Sequence, residues 1–389
     1  MRPIIGVTMG DAAGVGPEII AKTLSLEDIY RICRPVVIGD ARAMQQAEKI
    51  AQVNVGMNPL SQMKDAKFEY GVIDVLDLKN INFAKLKMGK VSAMTGRAAV
   101  EYVEKAVELA LNNEIHAITT APINKEAIKE AGYDYAGHTE LLADLTNSRD
   151  YAMMLVKEPL RVTHVTTHSS LWQACEMIRK ERICKVIELT REALQAIGIE
   201  QPRIAVASLN PHRGEGGLFG KEEIEEIAPA VEAAKQDGVN VEGPLPADTV
   251  FVKARGGAYD AVVAMYHDQG HIPIKLLGLE WNEKKRRWTM VSGVNITIGL
   301  PIIRTSVDHG TAFGKAGKGT ANPDSMTEAI KLAAAMAEKK LSQAQNQPKG
   351  PSRSEAGMGD NIRKTKRCLI NAESEGRRSR KRKRHQGSV

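Results

Sequence analysis

The feature that most constrains this chain is an alternation of short apolar segments with longer stretches whose apolar residues recur at helical spacing, sustained over some 300 residues. Ile4–Thr8, Pro35–Ile38, Ala117–Thr120, Ala152–Val156, Val162–Thr166, Arg203–Ser208, Ala261–Met265 and Val294–Ile298 read as strands. Several lack the in–out alternation of a half-solvated strand, so both of their faces need cover, as in the middle of a parallel sheet. Between them, Ala99, Val103, Ala106 and Ala110 share one face of residues 92–113, while Glu101, Glu104, Lys105 and Glu108 fall on others. Glu223–Lys235 and Met326–Lys340 repeat the pattern. The alternation predicts an α/β protein with a largely parallel sheet and helices on both faces.

Charge separates the chain into a body, 1–341, and a tail, 342–389. The tail holds 13 Lys and Arg against 4 Asp and Glu, a net +9 within a whole-chain charge of +7, which leaves the body at −2. With almost no large apolar residues the tail cannot offset its ordering entropy and is expected to be disordered. A basic run can bind nucleic acid, but no aromatic residues interleave these charges and the body is slightly acidic, so nucleic-acid binding is disfavoured. The basic stretch Lys284-Lys285-Arg286-Arg287 between Trp281 and Trp288 reads as an exposed hairpin or loop insertion anchored by its tryptophans. No apolar run approaches the roughly 18–20 residues of a membrane helix, and the N-terminal apolar stretch is too short for a signal peptide. Four cysteines without a Cys-x-x-Cys pair suit a reducing compartment, so a cytoplasmic protein is expected.

The residues with chemistry cluster where strands end. The first strand leads into Gly10-Asp11-Ala12-Ala13-Gly14-Val15-Gly16-Pro17, either an anion-facing turn or a structural one; its spacing is not the dinucleotide fingerprint. His138 precedes a helix, His168 closes Thr166-Thr167-His168, His212 lies in Asn210-Pro211-His212, and His267 follows an apolar strand. Imidazoles from separate strand ends can hold a divalent ion, but separations of 44 and 55 residues are no local ligand motif, and satisfied histidines are the alternative. The segment from Arg304 through Asp308-His309-Gly310 to Asn322-Pro323 resembles the adenosine-binding loop of isocitrate and isopropylmalate dehydrogenases, which bind NAD without a G-x-G-x-x-G motif.

Together with Thr-Ala-Pro-Ile-Asn-Lys at 120–125, Gly-His-Thr-Glu at 137–140, Pro-Ala-Asp-Thr at 246–249 and Tyr-His-Asp-Gln-Gly at 266–270, these segments resemble the 4-hydroxythreonine-4-phosphate dehydrogenase family of pyridoxal phosphate biosynthesis, in one consistent order across residues 3–340. The resemblance implies two domains, one discontinuous from both chain ends and one central, with an active site in the cleft between them and shared across a homodimer. It implies one divalent ion (zinc, magnesium or cobalt) on His168, His212 and His267, and a phosphorylated substrate on His138, Thr139, Lys275, Asn295 and Arg304. NAD or NADP is expected near Asn210, Gly214, Glu215, Asp308, His309 and Asn322. Lys275 and either Asp248 or Asp268 are the candidates for proton transfer. The implied reaction oxidises a 4-phosphorylated four-carbon 3-hydroxy acid, whose 3-keto product then loses carbon dioxide. His271, in His-Asp-Gln-Gly-His, looks more like the branch acting on 4-phospho-D-threonate or D-erythronate than the amino-acid branch, the alternative being a rim residue with no role in substrate selection. A dihydrodiol dicarboxylate dehydrogenase of the same scaffold and a phosphate acyltransferase of related fold are the alternatives. The 20 residues from Lys275 to Asn295 exceed the family's usual connection, the excess being the Trp281–Trp288 segment.

Overall fold

The apolar segments lie side by side in one twelve-stranded sheet, in a computed structural model that describes residues 2–284 and 286–346. Lys285 of the basic insertion, and the tail from residue 347 onward, lie outside the described residues. In chain order the strands are β1 (Ile4–Thr8), β2 (Arg34–Gly39), β3 (Gly56–Leu60), β4 (Val72–Asp77), β5 (Ala117–Thr120), β6 (Ala152–Lys157), β7 (Leu160–His164), β8 (Ile204–Ala207), β9 (Val241–Leu245) and β10 (Ala261–Ala264), then β11 (Leu279–Asn282), β12 (Arg287–Val291), β13 (Val294–Ile298) and β14 (Arg304–Val307). The sheet order is β3-β4-β2-β1-β5-β14-β13-β6-β7-β10-β8-β9, with β11 and β12 pairing separately.

Pairing is parallel from β3 to β14 and from β7 to β9. It is antiparallel at the three central seams, β14–β13, β13–β6 and β6–β7. Short connections explain two of those seams: the few residues between β6 and β7, and between β13 and β14, permit a hairpin but no crossover helix. The sheet is therefore largely parallel, as expected, around an antiparallel centre.

Alternate residues of the same strands feed different cores, which is why their sequences lack polar alternation. Met154 and Val156 of β6, Val206 of β8 and Val263 of β10 join one cluster with Ile183, Val186 and Ile187. Leu155, Ala205, Val262 and Ala264 join another with Val250, Phe251 and Ile274. The third and largest cluster draws on residues 5–142 and on Ile302, Val307, Met326, Ile330, Ala333, Ala334 and Ala337. The helix expected over 92–113 spans Ala93–Leu111, with the Ser92 hydroxyl accepting from the Met94 N–H. The final helix, Asp324–Asn346, runs past the boundary placed at residue 341. Residues 223–235 begin instead with a wide turn, Glu223–Ile227, before the helix Ala228–Gln236.

The glycine-rich turn after β1 is structural. Gly10 has φ +69°, and a Cβ there would strike the backbone of Ala121 and Pro122. The N–H groups of Asp11 and Val15 are already donated to Pro122 O (2.9 Å) and Thr311 O (3.0 Å), so few remain for an anion.

The basic insertion is an antiparallel hairpin of β11 and β12. Its base is closed by the Ser292 N–H on Gly278 O at 2.9 Å, so the extra length leaves the backbone on either side of it adjacent. Trp281 is 49% exposed with Nε1 donating to Glu283, which does not match a buried anchor.

Candidate active site

Arg304 opens β14 and is 2% exposed. Its two terminal nitrogens donate to the hydroxyls of Thr297 (2.9 Å) and Thr120 (2.7 Å), and its Nε is buried without a partner. Among the described residues no carboxylate forms an ion pair with it. Burial pulls its pKa down to about 9, partly opposed by the field of Glu140, so the group is still a cation at neutral pH. A buried guanidinium held only by hydroxyls is a charge that lacks its anion.

His138 and Thr139 begin the helix His138–Leu145 beside it. The Thr139 and Thr297 hydroxyls are 3.5 Å apart. The His138 Nε2 is buried without a partner, and burial followed by the Arg304 charge pushes this imidazole well below its ordinary range, so it is neutral. The structure thus brings three of the five expected substrate residues together. Asn295 directs Nδ2 to Met153 Sδ (3.1 Å) and leaves Oδ1 buried and unpartnered. Lys275, on the helix His267–Gly278, donates to Asp308 Oδ2 (2.6 Å) and to Asp308 O (2.8 Å). An expected substrate residue and an expected cofactor residue are therefore one ion pair.

Four histidines gather where β7 and β10 end. Ring centroids are 3.6 Å apart for His267 and His271, which stack at 14°, 4.8 Å for His164 and His271, and 5.9 Å for His168 and His267. Their hydrogen bonds fix the protons. His164 Nδ1 donates to Met153 O (3.2 Å), His271 Nδ1 to His267 O (3.0 Å), and His267 Nδ1 to Asp268 Oδ1 (2.6 Å). Where Nδ1 donates in this way, a neutral imidazole leaves Nε2 as a lone pair. Burial, then the neighbouring imidazoles, lower His164 to about 3; burial and His267 lower His271 to about 4. His168 Nδ1 lies 3.8 Å from Glu140 Oε1, beyond hydrogen-bond length but within ion-pair reach. His168, His267, Asp268, Tyr266 and Gln173 line a cavity of about 360 Å³.

His212 stands elsewhere. It lies in the turn Pro211–Gly217, with φ +53°, and with Arg213 and Glu223 lines a separate cavity of about 510 Å³. Among the described residues no group of three His, Cys, Asp or Glu side chains is arranged to hold a metal. Two of the three expected ligands do have the chemistry for it: a carboxylate faces Nδ1 of both His168 and His267, the arrangement that orients a metal-binding imidazole.

Of the expected bases, Asp268 is exposed and bound to His267, whereas Asp248 is exposed on the helix Ala247–Arg255 with no tie to the histidines. The expected cofactor residues sit on two loops. Asn210 donates its amide to Glu222 (2.7 Å) and Glu223 (2.9 Å), Gly214 and Glu215 continue that turn with φ +73° and +42°, Asn322 accepts from the Asp324 N–H (2.7 Å), and His309 Nδ1 donates to Gly310 O (2.9 Å).

The family described as "Pyridoxal phosphate biosynthetic protein PdxA" matches residues 31–333. The chain belongs to it. A family relative from Oceanobacillus iheyensis, named "Putative D-threonate 4-phosphate dehydrogenase", is 52% identical over 340 residues, covering 86% of this chain and 98% of its own. A solved 4-hydroxythreonine-4-phosphate dehydrogenase from Burkholderia phymatum is 48% identical with TM-score 0.74, over 86% of this chain and 98% of that one. Its counterpart from Klebsiella pneumoniae is 46% identical with TM-score 0.76, over 86% and 99%. These likenesses bear out the family resemblance and the α/β fold. No helix among the described residues is long and apolar enough to cross a membrane.

Several residues at this PdxA-family site were not singled out from sequence. Thr120 and Thr297 hold Arg304, Glu140 faces His168, and His164 supports the stacked pair. Glu140 ends the quoted Gly-His-Thr-Glu motif and Thr120 opens Thr-Ala-Pro-Ile-Asn-Lys, so position alone marked them. A lone imidazole within the apolar run 162–166 was the one signal for His164.

Proposed function

We propose that this protein oxidises the C3 hydroxyl of a 4-phosphorylated four-carbon hydroxy acid with NAD or NADP, and that the resulting β-keto acid loses carbon dioxide. The observation that carries this reading is Arg304: a buried cation, supported by Thr120, Thr297 and a neutral His138, that lacks an anion. A phosphate monoester fits that seat, and its binding removes the cost of burying the guanidinium unpaired. We take D-threonate 4-phosphate as the first substrate, because the relative at 52% identity carries that name, with 4-hydroxy-L-threonine 4-phosphate as the competitor.

His168 and His267 would hold the divalent ion, with His212 as the third ligand. When bound, the ion lowers the pKa of the substrate hydroxyl and stabilises the charge that develops on its oxygen. A nicotinamide supplies the hydride acceptor. The chain's own residues do the rest. Arg304 and Thr139 anchor the phosphate, and Asp268 keeps His267 in its Nε2-bare tautomer. The hydroxyl proton leaves to a base, for which Asp268 is the better placed of the two aspartates. C1–C2 cleavage then releases carbon dioxide, and C2 takes up a proton. Lys275, tied to Asp308 at rest, supplies an ammonium near the cofactor loop.

His212 is separated from His168 and His267 in its own chain, which favours a homodimer that completes each site from two copies. Leu171, Trp172, Leu218, Ile224, Ile272 and Leu276 support this: all are exposed, on the helix after His168, just after the His212 turn, or on the helix that carries His267 and His271. The core divides into one cluster drawn from residues 5–142 and 302–337 and two drawn mainly from residues 152–298, a division that favours the two-domain reading, with Ala329 and Met336 of the final helix joining the one that includes Ile183.

The test is nicotinamide reduction with the two substrates side by side, with and without zinc, magnesium or cobalt. Turnover of the threonate in preference to the amino acid, lost on chelation, is the expected result. Preference for the amino acid overturns the substrate choice, and silence with both in folded, metal-loaded protein overturns the reading.

A further inference from the structure

Glu140 faces His168 in the histidine half of the site, and its relation to the Arg304 half adds a second role. It lies in the first turn of the helix His138–Leu145, two residues from His138 and next to Thr139, whose hydroxyl leads through Thr297 to Arg304. Its Oε1 faces His168 Nδ1 at 3.8 Å, and its Oε2 is buried without any partner. An ionised carboxylate with one free buried oxygen is costly unless nearby positive charge supports it. His168 and then Lys125 hold this carboxylate below its ordinary range against the pull of burial, and Glu140 in turn raises Arg304. One carboxylate therefore serves two neighbours with opposite demands. It orients the imidazole of His168 for a cation, and it partly neutralises the cation that awaits an anion at Arg304.

We propose that Glu140 is a positioning residue that couples the metal and phosphate halves of the site, strengthening the first at the expense of the second. This inference rests on the reading that His168 takes a divalent ion and Arg304 a phosphate. Removing the charge should then move the two affinities in opposite directions. A carboxylate that orients a metal-binding imidazole is typically worth 10- to 100-fold in metal affinity. A negative charge taken away beside a buried cation strengthens that cation's hold on an anion, here on the order of 3- to 10-fold. A residue that merely shapes the fold would weaken both together.

The test uses Glu140→Gln in the full chain. Zinc affinity is measured by competition with a chromogenic chelator, and inorganic phosphate affinity by calorimetry on metal-stripped protein. Zinc binding should weaken about 10- to 100-fold while phosphate binding tightens. Glu140→Asp is the second variant, shortening the reach but keeping the charge: zinc should weaken while phosphate affinity stays within about twofold of the parent. Glu140→Gln weakening both ligands, or moving neither, overturns the coupling, as does an equal phosphate change in Glu140→Asp. If the unmodified protein takes up neither zinc nor phosphate, the reading of the site itself fails and the inference goes with it. Where the unmodified protein takes up both, the changes in the two variants bear on Glu140 alone.

Discussion

Arg304 shows how much a single residue's burial decides. Lysine in its place keeps the charge but cannot reach Thr120 and Thr297 together, because an ammonium lacks the planar fork. Arg304→Lys is expected to lower kcat/KM on the order of 10²-fold, about 2.7 kcal/mol, mainly through KM. Steady-state kinetics check it. An unchanged KM would mean that the phosphate sits elsewhere. His164 and His271 give a second expectation at this scale. Both have folded pKa values far below an unfolded imidazole's, about 3 and about 4. The unfolded chain therefore binds more protons between roughly pH 6.5 and 4, and stability present above that window is lost as pH falls through it. Melting temperatures of metal-free protein should drop over that interval, and His164→Leu should flatten the slope by about one proton's worth. An identical slope in the variant would remove His164 from the account. Sequence made His138, His168, His267 and Arg304 legible because they stand in dense motifs at strand ends. It hid Glu140 and His164, whose roles depend on which distant groups fold against them.

Among elements, the turn carrying His212 is the most demanding. His212, Arg213 and Glu215 all hold positive φ, a conformation that costs a non-glycine residue of order 1 kcal/mol or more. What holds it is the buried carboxylate of Glu223, 3% exposed, which accepts from the N–H groups of Leu209 and Asn210 (2.8 Å each) and from the Asn210 amide (2.9 Å). Glu223→Ala leaves those donors unpaired and should cost about 1–3 kcal/mol of stability. Urea unfolding measures it, and a midpoint within error of the parent would show that the turn holds itself. Central strands such as β1, β5 and β13 match their expected bounds because nearly all their residues are buried on both faces, even where Thr120 and Thr297 also serve Arg304. The edge strands β3 and β9 escaped the sequence, since Pro59 and Pro244 sit where a sheet edge tolerates a missing N–H and a partly exposed face tolerates polar residues. The antiparallel centre is legible only in hindsight, from connections too short to cross over.

At the scale of the whole molecule, the proposed dimer turns on the position of His212 relative to His168 and His267. One copy places His168 and His267 on a shared cavity and His212 on another, and the helices that follow His168 and carry His267 present Trp172 and Leu276, each 78% exposed. Apolar surface of this kind is costly to leave in water, and a two-fold dimer covers a surface patch with its own symmetry mate. If that pairing brings His212 of one copy to His168 and His267 of the other, two dead variants must repair each other. His168→Ala and His212→Ala should each be inactive alone. In a heterodimer, one site inherits both defects and the other neither. An equal mixture allowed to exchange subunits forms half heterodimers, so about a quarter of all sites, and about a quarter of the parent activity, should return. Sites built within one chain give a different result, because every subunit then carries a defect and mixing restores nothing. Activity after exchange, with size-exclusion chromatography to show that exchange occurred, therefore decides between a site shared across two chains and a site closed by a rearrangement within one.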